Sequence, residues 1–338
     1  MSERKGLSAN EPGSTSLRHL PSNHDDASRW VLAGSSPQVI EDPRSKDLWE
    51  EAQAAAPPGM FAKHEQFMPR RKTTGRCRIC GENRPLTREH IPPQSSGNRQ
   101  ATVSHSYETW LQSVDLELPD RGPVHQNGIW GYTLCADCNS LTGRRYGAHY
   151  SRWVALANGV LADLPAPSQL DQLTQPLGWN MELGSAESGG VCPGALVRQV
   201  LSCMCSLSGT WDLAGIHPEI RRIVLKDSLE KLPDNLGLGF GLYLGPRIRL
   251  VGPTLSVSPE KGSWSWVVEL AFPPFAFLLT LASNQNPPGR GLMMNDWSLR
   301  ALDEKVRFEG LVEVGFGWTP NPGDYRSSAA IRAEESSR

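Results

Sequence analysis

Four cysteines stand in two pairs with the same inner gap, Cys77 and Cys80 in C-R-I-C, and Cys135 and Cys138 in C-A-D-C. A two-residue gap lets one tight turn aim both sulfurs at a single ion. Two such turns complete the tetrahedral shell that zinc takes in structural sites. Arg76 and Arg78 flank the first pair and favour the thiolate form that binds metal. Residues 81 to 134 separate the pairs, an interval much longer than the roughly 15 to 20 residues of common zinc modules, so spacing alone also admits two redox dithiols. A redox dithiol usually sits at a strand-to-helix junction of a βαβ unit. None is legible around Cys77, which favours zinc.

Inside that interval lies L-T-R-E-H-I-P-P, Leu86 to Pro93, and Asn139 follows the second pair directly. An imidazole has the unperturbed pKa suited to taking a proton from water near neutrality. Carboxylate and amide oxygens are hard donors, acceptable to a magnesium-class cation that keeps several of its waters. Hydrolysis of a phosphodiester needs both parts, a base for water and a cation for the charge on the phosphate and the leaving oxygen. The dipeptide Glu89-His90 alone is as well explained by a buried ion pair or a helix cap. The flanking knuckles and Asn139 give it a chemical meaning.

Taken together, Cys77-x-x-Cys80, Glu89-His90-Ile91-x-Pro93 and Cys135-x-x-Cys138-Asn139 resemble HNH endonucleases of the ββα-metal class, in particular the four-cysteine branch that carries E-H-I-x-P. The resemblance covers Cys77 to about Tyr150. It implies two antiparallel strands and a helix around the site, with structural zinc on the four cysteines. It also implies His90 as the general base, and Glu89 and Asn139 as ligands of a catalytic Mg2+ or Mn2+. Family members often carry an Asn about five residues before the second pair, where it steadies the base. Here Trp130 stands at that place, and Asn127 is the nearest Asn upstream. His149 does not fit as a further ligand. On a helix opened by Asn139 it lies about 15 Å further along the axis. His105 and His125 read as ordinary histidines of the inserted loop.

The net charge is −2, which excludes a histone-like polycation and confines any nucleic-acid contact to a local basic patch. Such a patch exists. Lys63, Arg70, Arg71, Lys72, Arg76, Arg78, Arg84 and Arg88 face only Glu65, Glu82 and Glu89 over the same stretch, and Arg144 and Arg145 follow Asn139. Arg88, Arg144 and Arg145 lie nearest the presumed scissile phosphate. They are the expected contacts to a DNA backbone, held without reading sequence. The expected partner is duplex DNA. Two rivals remain: a non-catalytic zinc knuckle that docks DNA or protein, and a thiol redox protein.

The elements that must position these residues follow from pattern. Residues 1–70 are rich in Ser, Asn, Pro and charge and read as a largely disordered region, with a short helix possible from Asp47 to Ala55. Residues 71–163 form the zinc module with an inserted loop at about 94–130, and its last helix starts near Tyr146 and ends before Pro165. Residues 164–190 are a Pro/Gln/Gly-rich linker. Residues 191–319 carry two helices, Gly194 to Leu207 and His217 to Leu232. Five strands follow: Leu236 to Leu244, Arg247 to Val257, Trp264 to Phe272, Phe275 to Leu281 and Val306 to Trp318. Helices followed by strands indicate an α+β fold with an antiparallel sheet. Residues 320–338 read as a tail. Cys192, Cys203 and Cys205 lack metal spacing and read as buried thiols. Trp264, Trp266, Trp297 and Trp318 read as packing residues. The opening MSERKGLSANEPGS has no apolar stretch after its charges, and Val267 to Ser283 is broken by Glu269 and Pro273-Pro274. Neither a secretory signal nor a membrane span is expected, which makes the cytoplasm the expected location.

Overall fold

A helix that is apolar nearly all round is stable only when wrapped on all sides, and Pro193–Leu207 is of that kind. The computed structural model describes residues 17–19, 29–32, 43–56, 68–104, 124–161, 177–184, 189–209, 211–243, 247–258, 262–282, 292–314 and 324–327. Every residue of Pro193–Leu207 is buried. In chain order the elements are β1 (Leu17–His19), β2 (Arg29–Leu32), α1 (Pro43–Ala54), β3 (Thr74–Arg76), β4 (Asn83–His90), β5 (Thr102–Ser104), β6 (Val124–His125) and β7 (Trp130–Cys135). They continue with α2 (Ala136–Thr142), a π-helical turn Gly143–Gly147, α3 (Ala148–Leu161), β8 (Leu177–Leu183), α4 (Pro193–Leu207), α5 (Leu213–Ile216) and α6 (Pro218–Lys226). The last are β9 (Leu236–Leu242), β10 (Arg247–Ser258), β11 (Ser263–Phe272), β12 (Phe275–Ala282), β13 (Leu292–Met293), β14 (Phe308–Val314) and β15 (Asp324–Ser327).

Among the described residues the strands form two sheets. The small one has the order β3-β4-β7. The large one runs β1-β8-β14-β9-β12-β11-β10-β15-β5-β6, with β13 paired to β9 and β2 to β10. Its pairs are antiparallel except β14 with β9, so the fold is mixed α and β with antiparallel sheets. Strand β10 shifts register between Val251 and Thr254, at Gly252-Pro253. Proline has no N–H to give a ladder, so a bulge is where it can sit. Helix α4 lies between the sheets, packed on β10 and β11 on one side and on α2, α3 and α6 on the other. One buried apolar cluster runs through both halves of the chain, from Trp49 through Ile79, Ile91 and Leu134 to Val312. Trp153 docks α3 onto the large sheet. Its ring lies 5.5 Å from both Trp297 and Phe308. The tryptophans thus serve packing, Trp264 and Trp266 included, while Trp318 lies outside the described residues.

Several boundaries differ from those expected. Segments read as disordered region, linker and tail contribute β1, β2, β8 and β15, each paired in the large sheet. The inserted loop contributes β5 and β6, which pair with each other and, through β5, with β15. The helix expected to reach Leu232 stops at Lys226. Asp227 takes a left-handed conformation (φ 54), and tertiary contacts hold it there. Its carboxylate accepts from Tyr146 Oη at 2.9 Å and pairs with Arg145.

Arg198 explains why the interior helix tolerates a charge. Its side chain is wholly buried, and it donates to five carbonyls: Gly194 (2.7 Å), Ile223 (3.1 Å), Ser228 (3.1 Å), Ser298 (3.3 Å) and Arg300 (3.1 Å). Arginine's fork of N–H donors is matched by carbonyls of α4, of α6 and of Ser228 beyond it, and of the turn Asn295–Leu299 and the Arg300 that follows it. Arg198→Leu strips the partners from those buried acceptors. It is expected to destabilise the protein by more than about 3 kcal/mol, read as a lowered denaturant midpoint. A midpoint equal to wild type would refute this account of the helix.

Candidate metal centre and adjoining site

The first cysteine pair sits on the turn between β3 and β4. Gly81 N–H donates to the Cys77 carbonyl at 2.9 Å, and Cys77 N–H to the Glu82 carbonyl at 2.9 Å, so the chain folds back within five residues. Gly81 takes φ +78, a conformation a side chain disfavours. The second pair straddles the junction of β7 and α2, with Cys135 ending the strand and Cys138 in the first helical turn. All four sulfurs lie within 4.8 Å of one another. Cys80 and Cys135 are 3.9 Å apart, close to the roughly 3.8 Å edge of a tetrahedron with zinc–sulfur bonds of about 2.3 Å. None of the seven cysteines is in a disulfide. Four sulfurs in one cluster, not two separate dithiols, can hold a metal such as zinc. The thiols are unequal. Cys77 is pushed down to about 4, chiefly by hydrogen bonding with Cys138 and against its own burial. Cys80 is raised to about 11, chiefly by burial. Cys192, Cys203 and Cys205 are buried elsewhere, as expected.

The strand that carries Glu89 and His90 pairs antiparallel with β7, and the ladder slips at Thr133, which faces no partner on β4. Successive strand residues point to opposite faces, and this sends Glu89 inward. The carboxylate is buried, with Oε2 accepting from Thr133 Oγ1 and from Ser206 Oγ, both at 2.7 Å. Burial pushes its pKa up to about 7 against those two hydrogen bonds. The bulged Thr133 also gives its carbonyl to the N–H of Arg78 at 3.1 Å, and Arg78 Nη1 donates to the Ser206 carbonyl. The residue between the first two cysteines therefore touches both groups that hold Glu89.

His90 ends β4 at the rim, half-buried. Its Nε2 lies 3.1 Å from the carbonyl oxygen of Asn127. A carbonyl only accepts, so Nε2 carries the proton and Nδ1 is left as the basic nitrogen. Burial first, then the charges of Arg88 and Arg70, hold the His90 pKa below its usual value. Asn127 and Gly128 both have positive φ (62 and 77), so the chain turns sharply here through left-handed conformations that Asn and Gly tolerate. Asn98 fixes that turn. Its side chain donates to the Pro92 carbonyl (2.8 Å) and the Ile129 carbonyl (2.9 Å), and accepts from Ile129 N–H (2.7 Å). A Cβ at Gly128 would overlap the Asn98 backbone. Thus an orienting group for His90 is present although Trp130 stands where the resemblance implies an Asn. The Asn-Gly dipeptide signals the turn. Nothing in the sequence points to Asn98, Thr133 or Ser206.

Asn139, in α2, donates through Nδ2 to the Arg88 carbonyl (2.9 Å) and to Thr87 Oγ1 (3.0 Å). The Arg88 carbonyl fixes the amide's orientation, so Oδ1 faces away from the strand. The three expected site residues are thus gathered on β4 and the helix beside it. Each has its own partners, and among the described residues no hydrogen bond joins one to another. Of the expected phosphate contacts, Arg88 and Arg144 are exposed, while Arg145 is paired with Asp227. His149 is partly buried on α3, with Arg152 and Lys305 as its charged neighbours. His125 is described and partly exposed, and His105 lies outside the described residues.

No family model matches this chain, and neither a curated protein nor a solved structure matches it. No helix among the described residues is long and apolar enough to cross a membrane.

The sulfur cluster predicts one tightly held zinc per chain in purified protein, read by elemental analysis. Cys77→Ser with Cys135→Ser should lose the metal and melt at a markedly lower temperature. Full zinc content in that double variant would rule the cluster out as the site.

Proposed function

We propose that this protein is a metal-dependent DNA endonuclease of the HNH type, with β4, β7 and α2 as its ββα-metal finger and zinc on Cys77, Cys80, Cys135 and Cys138 as the staple. The observation that carries the reading is the state of His90. It sits at the rim of the strand, with Nε2–H on the Asn127 carbonyl and Nδ1 available as a base. The helix that follows the second knuckle presents Asn139 to the same strand. A plain binding module has no chemical reason to orient an imidazole in this way.

In the proposed reaction His90 Nδ1 takes a proton from water, whose oxygen attacks the phosphorus in line. The bond from phosphorus to the 3′ oxygen breaks, leaving a 5′ phosphate and a 3′ hydroxyl that gains its proton from solvent. The donor set suits a hard cation. Asn139 Oδ1 is turned away from the strand, and Glu89 offers Oε1, the oxygen that neither Thr133 nor Ser206 occupies. When bound by Glu89 and Asn139, magnesium or manganese supplies positive charge to offset that growing on the phosphate. Burial lowers the His90 pKa and so favours the neutral form, the one that accepts a proton.

Supercoiled plasmid incubated with the purified protein should be nicked with magnesium or manganese and spared with chelator. His90→Ala should slow nicking by roughly 10²- to 10⁴-fold, with zinc content and fold retained. Undiminished nicking by His90→Ala would sink the assignment. A zinc-loaded wild type that binds DNA without cutting it would favour the binding module.

A further inference from the structure

Trp130 opens β7 directly opposite His90, and residues opposed across a ladder share a face. Arg88, two residues before His90 on β4, lies on that face as well. Its guanidinium sits over the Trp130 ring, 4.9 Å from the centroid. Arg70 reaches the same ring at 4.5 Å, and it comes from the other edge of β7. There Tyr132 N–H donates to the Pro69 carbonyl at 2.8 Å. The indole is itself fixed. Its Nε1–H donates to the Gln126 carbonyl at 3.2 Å, and Tyr132 meets it edge-on with centroids 5.9 Å apart.

Two guanidiniums thus converge on one ring. Three arginines of the module are offset by carboxylates: Arg76 by Asp212, Arg84 by Asp137, and Arg145 by Asp227. Arg88 is exposed, and among the described residues it has no carboxylate partner. Trp130 stands opposite His90 in the ladder, so whatever the guanidiniums on its ring grip lies beside the imidazole.

We propose that Arg70, Trp130 and Arg88 form a clamp for the phosphates of a DNA backbone on the His90 face, an inference that rests on the endonuclease reading. The ring covered by two guanidiniums is not a platform for a base, so the clamp reads backbone and not sequence. Guanidinium forks match phosphate oxygens two at a time. Trp130 holds the forks in place before DNA arrives, which lowers the rotamer entropy lost on binding.

Binding of full-length protein to a labelled DNA duplex, without added divalent cation, tests this over a series from ~50 to ~200 mM salt. Arg70→Ala and Arg88→Ala should each flatten the plot of log affinity against log salt by about 0.9. Trp130→Leu should weaken binding several-fold at unchanged slope, because both charges remain. Zinc content and circular dichroism of each variant establish that it is folded. Wild-type slopes in both arginine variants, wild-type affinity in Trp130→Leu, or no binding by the wild type would overturn the clamp. Plasmid nicking separates the two readings. An active nuclease with unaltered slopes loses the clamp and keeps His90, and an inactive protein with the expected slopes does the reverse.

Discussion

Four sulfurs within 4.8 Å of one another cannot all carry charge unless something positive stands among them. The unequal thiols express this: Cys77 is driven toward the thiolate, and Cys80 is held as a thiol. A dication in the middle removes the conflict and lets all four ionise. The sulfurs come from the β3–β4 turn and from the β7–α2 junction, so an ion held by all four would also set how β4 lies against β7. Strand register decides which face each side chain takes. The inward course of Glu89 and the rim position of His90 are therefore downstream of the cluster.

The consequence reaches further through Arg78. Its backbone holds the bulged Thr133, its side chain holds the Ser206 carbonyl, and both residues hold Glu89. Helix α4 is the common floor. It presents Ser206 to the four-cysteine module at one end and Arg198 to three other segments nearer its start. Buried polar groups of this kind are tolerable only when each has a partner, and this makes the helix a poor candidate for movement. The four-cysteine module and the large sheet therefore share one interior.

The parts of the fold that were legible are those with strong local pattern. The course of α4 follows from its near-continuous apolar run, and β9 to β12 from short apolar stretches between Gly, Pro and Asn clusters. The short strands β1, β2 and β15 were not legible. Three or four residues carry no periodicity, and such strands are stabilised by the neighbours they pair with. The end of α6 was misplaced because Asp227 is held by Tyr146, 81 residues away in the chain. The chemistry at the candidate site was legible in residue type and only partly in direction. C-x-x-C twice, Glu-His and Asn139 are visible in the letters. That Glu89 turns inward depends on Ser206, 117 residues away. That His90 is oriented by a backbone carbonyl has no signature in side-chain identity at all.

The neck formed by Asn98 has a consequence of another kind. It ties Pro92 to Ile129, so the two ends of the inserted segment meet beside His90 whatever lies between them. For a chain whose ends are already joined, added length is thermodynamically inexpensive, about 0.6 kcal/mol for each doubling. The rim that carries His90 and the part of the segment beyond this neck are in this sense mechanically decoupled. That part can lengthen, shorten or acquire new surface over evolutionary time without disturbing the geometry around the imidazole, much as a cassette is exchanged in a fixed frame.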